Sequence, residues 1–199
     1  MKYSDEFLDK HRGINVSFDD WYEHVFDGFA EEVKQDYNVD IEEDSFRFSG
    51  FYSQGDGASF GCIIDESAID VFVSAMGGSM ADYPMIEALI EAGGFCKINV
   101  YRSDSRYCHE NTMTTSITID SFHDVLDSPT ELHEEICEQY DNVLWEAAER
   151  LEQDTLAECK ELANKLYRRL EERYEYLTSD EAVAEALEVN DIHEDEECA

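Results

Sequence analysis

After Pro129 the chain runs to its last residue, 199, without another proline or any glycine. That absence constrains the fold more than any other feature. With nothing to free or block the backbone, such a stretch has no local reason to turn, and helix is the expectation. Pro129 suits a first helical turn and Ser128 its cap. Leu132, Ile136, Tyr140, Val143, Ala147 and Leu151 recur at threes and fours as one apolar seam. Leu156, Cys159, Ala163, Leu166, Leu170, Tyr174 and Leu177 continue it with a shift in phase. The pattern fits one helix of more than forty residues, or two joined near residues 153–155. Its seam must bury against the sheet, an antiparallel helix or a second copy of the chain. A helical hairpin or a homodimer is expected, the dimer by preference. Ser179 and Asp180 open a further short helix ending near Val189. Residues 190–199, with Glu194-Asp195-Glu196-Glu197, read as a disordered acidic tail.

Upstream the periods alternate. Ser17 is a cap for a helix over residues 18–37, with Phe18, Trp21, Tyr22, Val25, Phe26, Phe29, Val33 and Tyr37 as its apolar stripe. The period then falls to two: Phe46, Phe48, Gly50 and Tyr52 lead into Gly55-Asp56-Gly57 and the apolar residues 58–64. Two short strands about that turn make a β-hairpin, with Gln54, Gly55, Asp56 and Gly57 at its tip. Residues 68–75 stay open between helix and strand. Pro84 starts a short helix that Gly93-Gly94 stops. Residues 95–101 and 112–119, β-branched and aromatic, read as a second antiparallel pair joined by the polar loop 103–111. The expected fold is α+β: an N-terminal amphipathic helix, a small antiparallel sheet of about four strands, and a long C-terminal helical region. It divides into an α+β domain (1–127), a helical region (128–189) and the tail (190–199).

Charge bounds the function. The chain has 49 Asp+Glu against 14 Lys+Arg, a net charge of −35, while 43% hydrophobic content provides for a core. Binding nucleic acid or an anionic membrane through its own surface would need clustered Lys/Arg. The one local basic cluster, Lys165, Arg168, Arg169 and Arg173, is interleaved with Glu171 and Glu172. No apolar run suits a membrane span, and the N-terminus lacks the apolar core of a signal peptide. Six cysteines without a framework spacing read as reduced thiols. A soluble cytoplasmic protein with no cofactor is expected.

The acids themselves form rows. Asp19, Glu23, Asp27 and Glu31 follow one another at strict fours, with Asp20, Glu32 and Asp36 beside them and Lys34 as local relief. Like charges at that spacing cost roughly 0.2–0.5 kcal/mol per pair. Seven acids less one base over about 25 Å of helix make about one net charge per 4 Å, against ~3.4 Å per phosphate along a DNA strand. Glu131, Glu134, Glu135, Glu138 and Asp141 begin a second row that reaches Glu161 at about one charge per 5 Å. The expected function is a DNA-mimic inhibitor, not an enzyme, that occupies the basic cleft of a DNA-binding host protein of restriction, CRISPR or recombination type. The alternatives are a non-mimetic interaction protein (antitoxin-like or an assembly factor), a salt-adapted domain and a small enzyme. Scarce lysine fits salt adaptation; abundant Glu, six Cys and the many aromatics do not.

Catalytic patterns are weak. Cys108 and His109 are adjacent and cannot share a metal without strain, and no histidine shows a ligand spacing with the cysteines. The string Phe48-Ser49-Gly50-Phe51-Tyr52-Ser53-Gln54-Gly55-Asp56-Gly57-Ala58-Ser59-Phe60 resembles a motif of uncharacterised small proteins of bacteriophages and their hosts. There too it follows a Trp/Tyr-bearing amphipathic helix. The resemblance spans residues 18–65 and implies a phage or mobile-element setting, hence a host-cell cytoplasm, but brings no activity. Ser53, Gln54, Asp56 and Ser59 could make a polar rim at the hairpin tip; the plainer role of its glycines is a tight turn.

Overall fold

The computed structural model describes residues 2–103, 105–125 and 131–194; for Asp19 and residues 131–138 it describes the backbone alone. Ser128, Pro129 and the last five residues of the expected tail lie outside the described residues. The helices are α1 (Asp5–Lys10), α2 (Glu23–Tyr37), α3 (Ile69–Ala75), α4 (Pro84–Glu91), α5 (Phe122–Val125), α6 (Glu131–Leu177) and α7 (Asp180–Val189). The strands are β1 (Arg47–Phe48), β2 (Ala58–Ser59), β3 (Cys62–Asp65), β4 (Cys96–Arg102) and β5 (Met113–Ile119). This is an α+β fold, with five strands in two antiparallel sheets among the described residues. Two compact units form, one of Met1–Gly28 with Leu166–Ala199, the other of Phe29–Lys165. The first brings together segments from the two ends of the chain.

In the first unit, Ser4 caps α1, its hydroxyl accepting from Phe7 N at 3.3 Å. Ser179 caps α7 in the same way. Tyr3, Phe7 and Leu8 bury against Val183 and Leu187, with Ile14 and Ile192 at the margin. Carbonyls left open at the end of α6 find side-chain donors. Asn15 Nδ2 donates to Leu177 O at 2.9 Å, and Arg12 donates to Thr178 O at 3.0 Å while pairing with Asp180. The start of the tail is part of this unit, against the expected disorder of residues 190–194. Asp191, at φ 56°, turns the chain so that Ile192 N reaches Leu187 O at 2.9 Å. Glu194 then accepts from Ser4 N at 3.0 Å and from its hydroxyl.

The N-terminal helix starts later than its pattern suggests. Asp19–Tyr22 form a 3₁₀ turn, and α2 begins only at Glu23. Phe18 holds the cap position and has no side-chain acceptor to offer, so the first turn tightens. Ser17, the expected cap, donates its hydroxyl to Ile14 O instead, and Phe18 is 75% exposed, not in the stripe.

In the second unit, β3, β4 and β5 pair in sequence order, with Ile64 opposite Ile98 and Val100 opposite Thr115. Along β4, Cys96, Ile98 and Val100 face the core while Lys97 and Asn99 are half-covered, the period of two made visible. β1 and β2 form the expected hairpin, Arg47 opposite Ser59, but β1 is two residues long. Gly50, at φ 120°, turns the chain out of the strand. Residues 58–64 divide at Gly61, where a side chain would crowd Ser45 and the Val100 carbonyl. The open segment 68–75 is the helix α3, and Gly93, at φ 85°, ends α4 as expected.

One uninterrupted helix of 47 residues forms α6, so no hairpin closes near 153–155. Leu144, Ala148, Leu151, Thr155, Cys159 and Leu162 are buried along it, followed by Leu166 and Leu170. The upstream seam is displaced from its expected phase. Tyr140 and Val143 are 53% and 50% exposed, and Ala147 is half-buried. The helix is apolar over two adjacent sectors there, and the core takes the one carrying Leu144 and Ala148. Since the chain's own core covers that sector, its burial does not require a second copy.

Candidate functional site

The acidic row is real on α2 and thinner than its composition. Glu23, Asp27 and Glu31 are exposed at successive turns, with Asp36 exposed beyond them, while Phe29 and Val33 bury the opposite face. Asp20 is exposed in the preceding 3₁₀ turn, which also holds Asp19. Glu32 leaves the row to pair with Lys165 of α6. On α6 the side chains of Glu131, Glu134, Glu135 and Glu138 lie outside the description. Asp141 is spent locally, accepting from Phe122 N at 2.8 Å and capping α5.

A second acidic feature was missed from the sequence. An open groove of about 420 Å³ runs beside α6, with Asp154, Glu158 and Glu161 on one wall and Met76, Gly77 and Gly78 on the other. Two of these carboxylates accept tyrosine hydroxyls, Glu158 from Tyr37 and Asp154 from Tyr83, each at 2.6 Å. Burial, then the bond to the carboxylate, pushes the Tyr83 pKa up to about 12 and carries Tyr37 well above the tyrosine range. The Arg150 guanidinium lies 4.7 Å over the Tyr83 ring and donates to Asp82 O at 2.5 Å. Asp154 and Glu158 at i,i+4 were the sequence signal; their tyrosine partners sit 71 and 121 residues away, beyond any periodicity.

The hairpin tip is a packed joint. A Cβ on Gly57 would fall 2.5 Å from His109 Cα, and one on Gly55 2.5 Å from the Tyr107 ring. The glycines therefore let residues 49–57 close against Tyr107 and His109. Asp56 accepts from Ser53 N at 2.5 Å. Ser59 is fully buried, so it contributes nothing to a polar rim, while Gln54 is exposed.

Two buried thiols are held in their protonated form. Cys159 is buried and hydrogen-bonded to Cys62; that bond, then burial, holds it well above the ordinary thiol pKa. Burial pushes Cys96 up to about 12. Both favour the unreactive protonated thiol. Among the described residues no three His, Cys, Asp or Glu side chains are placed to hold a metal ion, and no helix is long and apolar enough to cross a membrane.

The model of a domain of unknown function, DUF8835, matches residues 21–180. The chain belongs to the DUF8835 family. The matched DUF8835 segment contains the α2 row, the hairpin, the groove and all of α6; α1 lies outside it, as does α7 beyond its first residue. No curated protein and no solved structure matches the chain.

Proposed function

We propose that this DUF8835 protein is an acidic inhibitor that presents a DNA-like array of carboxylates to the basic nucleic-acid-binding cleft of a host defence or DNA-processing protein. One observation carries the reading. Glu23, Asp27 and Glu31 stand exposed at one-turn intervals on a helix whose other face is anchored by Phe29 and Val33. They place three carboxylates along about 12 Å of helix, about one every 6 Å. A positive cleft would be steered onto such a surface, and the rigid helix meets it without an ordering cost. The setting is the cytoplasm of a host cell carrying a phage or mobile element, as the hairpin motif implies.

The test is capture from host lysate on the immobilised full chain, followed by elution with duplex DNA. The expected catch is a DNA-binding protein that duplex DNA displaces. A variant carrying Glu23→Gln, Asp27→Asn and Glu31→Gln should lose it. Equal capture by that variant would sink the proposal.

A further inference from the structure

We infer that the outer edge of β5 pairs with β5 of a second copy, so that two chains join antiparallel into one continuous sheet. No described strand lies beyond β5. Which of its backbone groups point outward follows from the bonds just past each end of its ladder with β4. Ser103 N donates to Thr112 O at 2.7 Å, and Asp120 N to Phe95 O at 2.9 Å. Hydrogen-bonded pairs alternate along an antiparallel ladder, so Thr114, Ser116 and Thr118 turn their N–H and C=O toward β4. Thr115, Ile117 and Ile119 turn theirs away, as does Met113, whose N–H is already held by Glu110 O. The seven outward groups that remain have no partner among the described residues, and such groups are tolerated where water reaches them. The opposite edge of the sheet is partly covered: Ile41 lies across from Cys62, and Glu42 N donates to Gly61 O at 3.0 Å. Nor is β5 guarded against pairing. Its seven residues include no charge and no proline, and its register with β4 runs without a bulge.

Charge decides the occupant. The whole chain carries −35, yet residues 95–119 hold three bases and two acids, and β4 and β5 themselves have Lys97 and Arg102 and no acid. A cationic partner of the kind proposed above finds no carboxylate on these strands to draw it in. Two copies, which repel over the rest of their acidic surface, meet here without setting acid against acid. The strand is also its own complement. Run antiparallel to itself about Ser116 or about Ile117, it closes six hydrogen bonds between the copies, and the two-fold pair uses up the open edge of both. On the face away from Ile98 and Val100, Thr and Ser then stand beside Thr and Ser, a favourable cross-strand pairing. A seven-residue edge is a small contact, so the dimer is a weak one that forms at high concentration.

The full chain is sedimented at concentrations from about 10 μM to about 1 mM, in about 0.01 M and about 0.1 M salt. A monomer–dimer equilibrium is expected, shifted toward dimer by concentration and by salt. Ser116 is half-covered, and in both registers it lies opposite or diagonal to Ser116 of the copy. Ser116→Lys and Ser116→Glu should therefore each weaken the dimer about fivefold, and an equimolar mixture of the two should restore it as a heterodimer. Hydrogen exchange gives a second readout at the edge itself. The amides of Thr115, Ile117 and Ile119 should slow as the dimer forms, while those of Thr114, Ser116 and Thr118 stay protected throughout and verify the fold of each variant. A chain that is monomeric across the whole range overturns the inference and leaves the edge to a foreign strand. So does a dimer that both single variants leave intact, or one in which the amides of Thr115, Ile117 and Ile119 still exchange fast.

Discussion

Tyr83 donates its hydroxyl to Asp154 from a buried site, and the consequence is a dependence on alkaline pH. Its folded pKa, about 12, stands above the usual tyrosine value of about 10. The folded state therefore holds its proton more tightly. The stabilisation is complete below pH ~10 and is lost as pH rises toward 12. Tyr37, shifted in the same direction, adds to the loss. Urea midpoints from pH 8 to 12 are expected to fall less steeply in Tyr83→Phe than in the native chain; parallel curves would count against the linkage. Two glycines give opposite signs. Gly57→Ala puts a methyl into His109 and is expected to cost about 1–3 kcal/mol in urea unfolding. Gly28→Ala, in the interior of α2 with open space around it, is expected to add about 0.5–1 kcal/mol.

Among the elements, α6 carries the sharpest prediction. The Thr155 hydroxyl is fully buried and has no hydrogen-bond partner among the described residues. Thr155→Val removes an unsatisfied polar group at nearly constant volume, so unfolding stability is expected to rise by about 1 kcal/mol. Thr155→Pro should instead unfold the protein, by interrupting the helix inside its buried stretch. Elements were legible in the sequence wherever a local rule acts alone. Pro84 and Gly93 bracket α4, Ser179 opens α7, and β-branched runs mark β4 and β5. They were misread where tertiary packing chooses between equal local options. Val143 and Leu144 are both apolar, and only the core decides which is covered. The candidate site divides in the same way. Exposure of Glu23, Asp27 and Glu31 follows from their spacing, whereas the removal of Glu32 by Lys165 rests on a contact 133 residues distant.

Over the whole molecule the net charge of −35 sets stability and proposed function against each other. The screening length shrinks from about 30 Å at 0.01 M salt to about 10 Å at 0.1 M, so the melting temperature is expected to rise with added salt. Removing Glu23, Asp27 and Glu31 as amides relieves two i,i+4 repulsions, about 0.4–1 kcal/mol together. That variant should melt higher than the native chain at low salt and alike at high salt, while capturing less partner. A variant that melts lower at low salt would show the row to be structural. The unbroken α6 has a further consequence, in the language of insertions and deletions. One residue added after Leu151 rotates everything downstream by about 100°, swinging Thr155, Cys159 and Leu162 out of the core together. Seven added residues restore the phase to within about 20° but lengthen the rod by about 10 Å. Between Leu144 and Leu162 the helix is thus a counted length, and relatives that differ in size are expected to differ in loops such as residues 105–111.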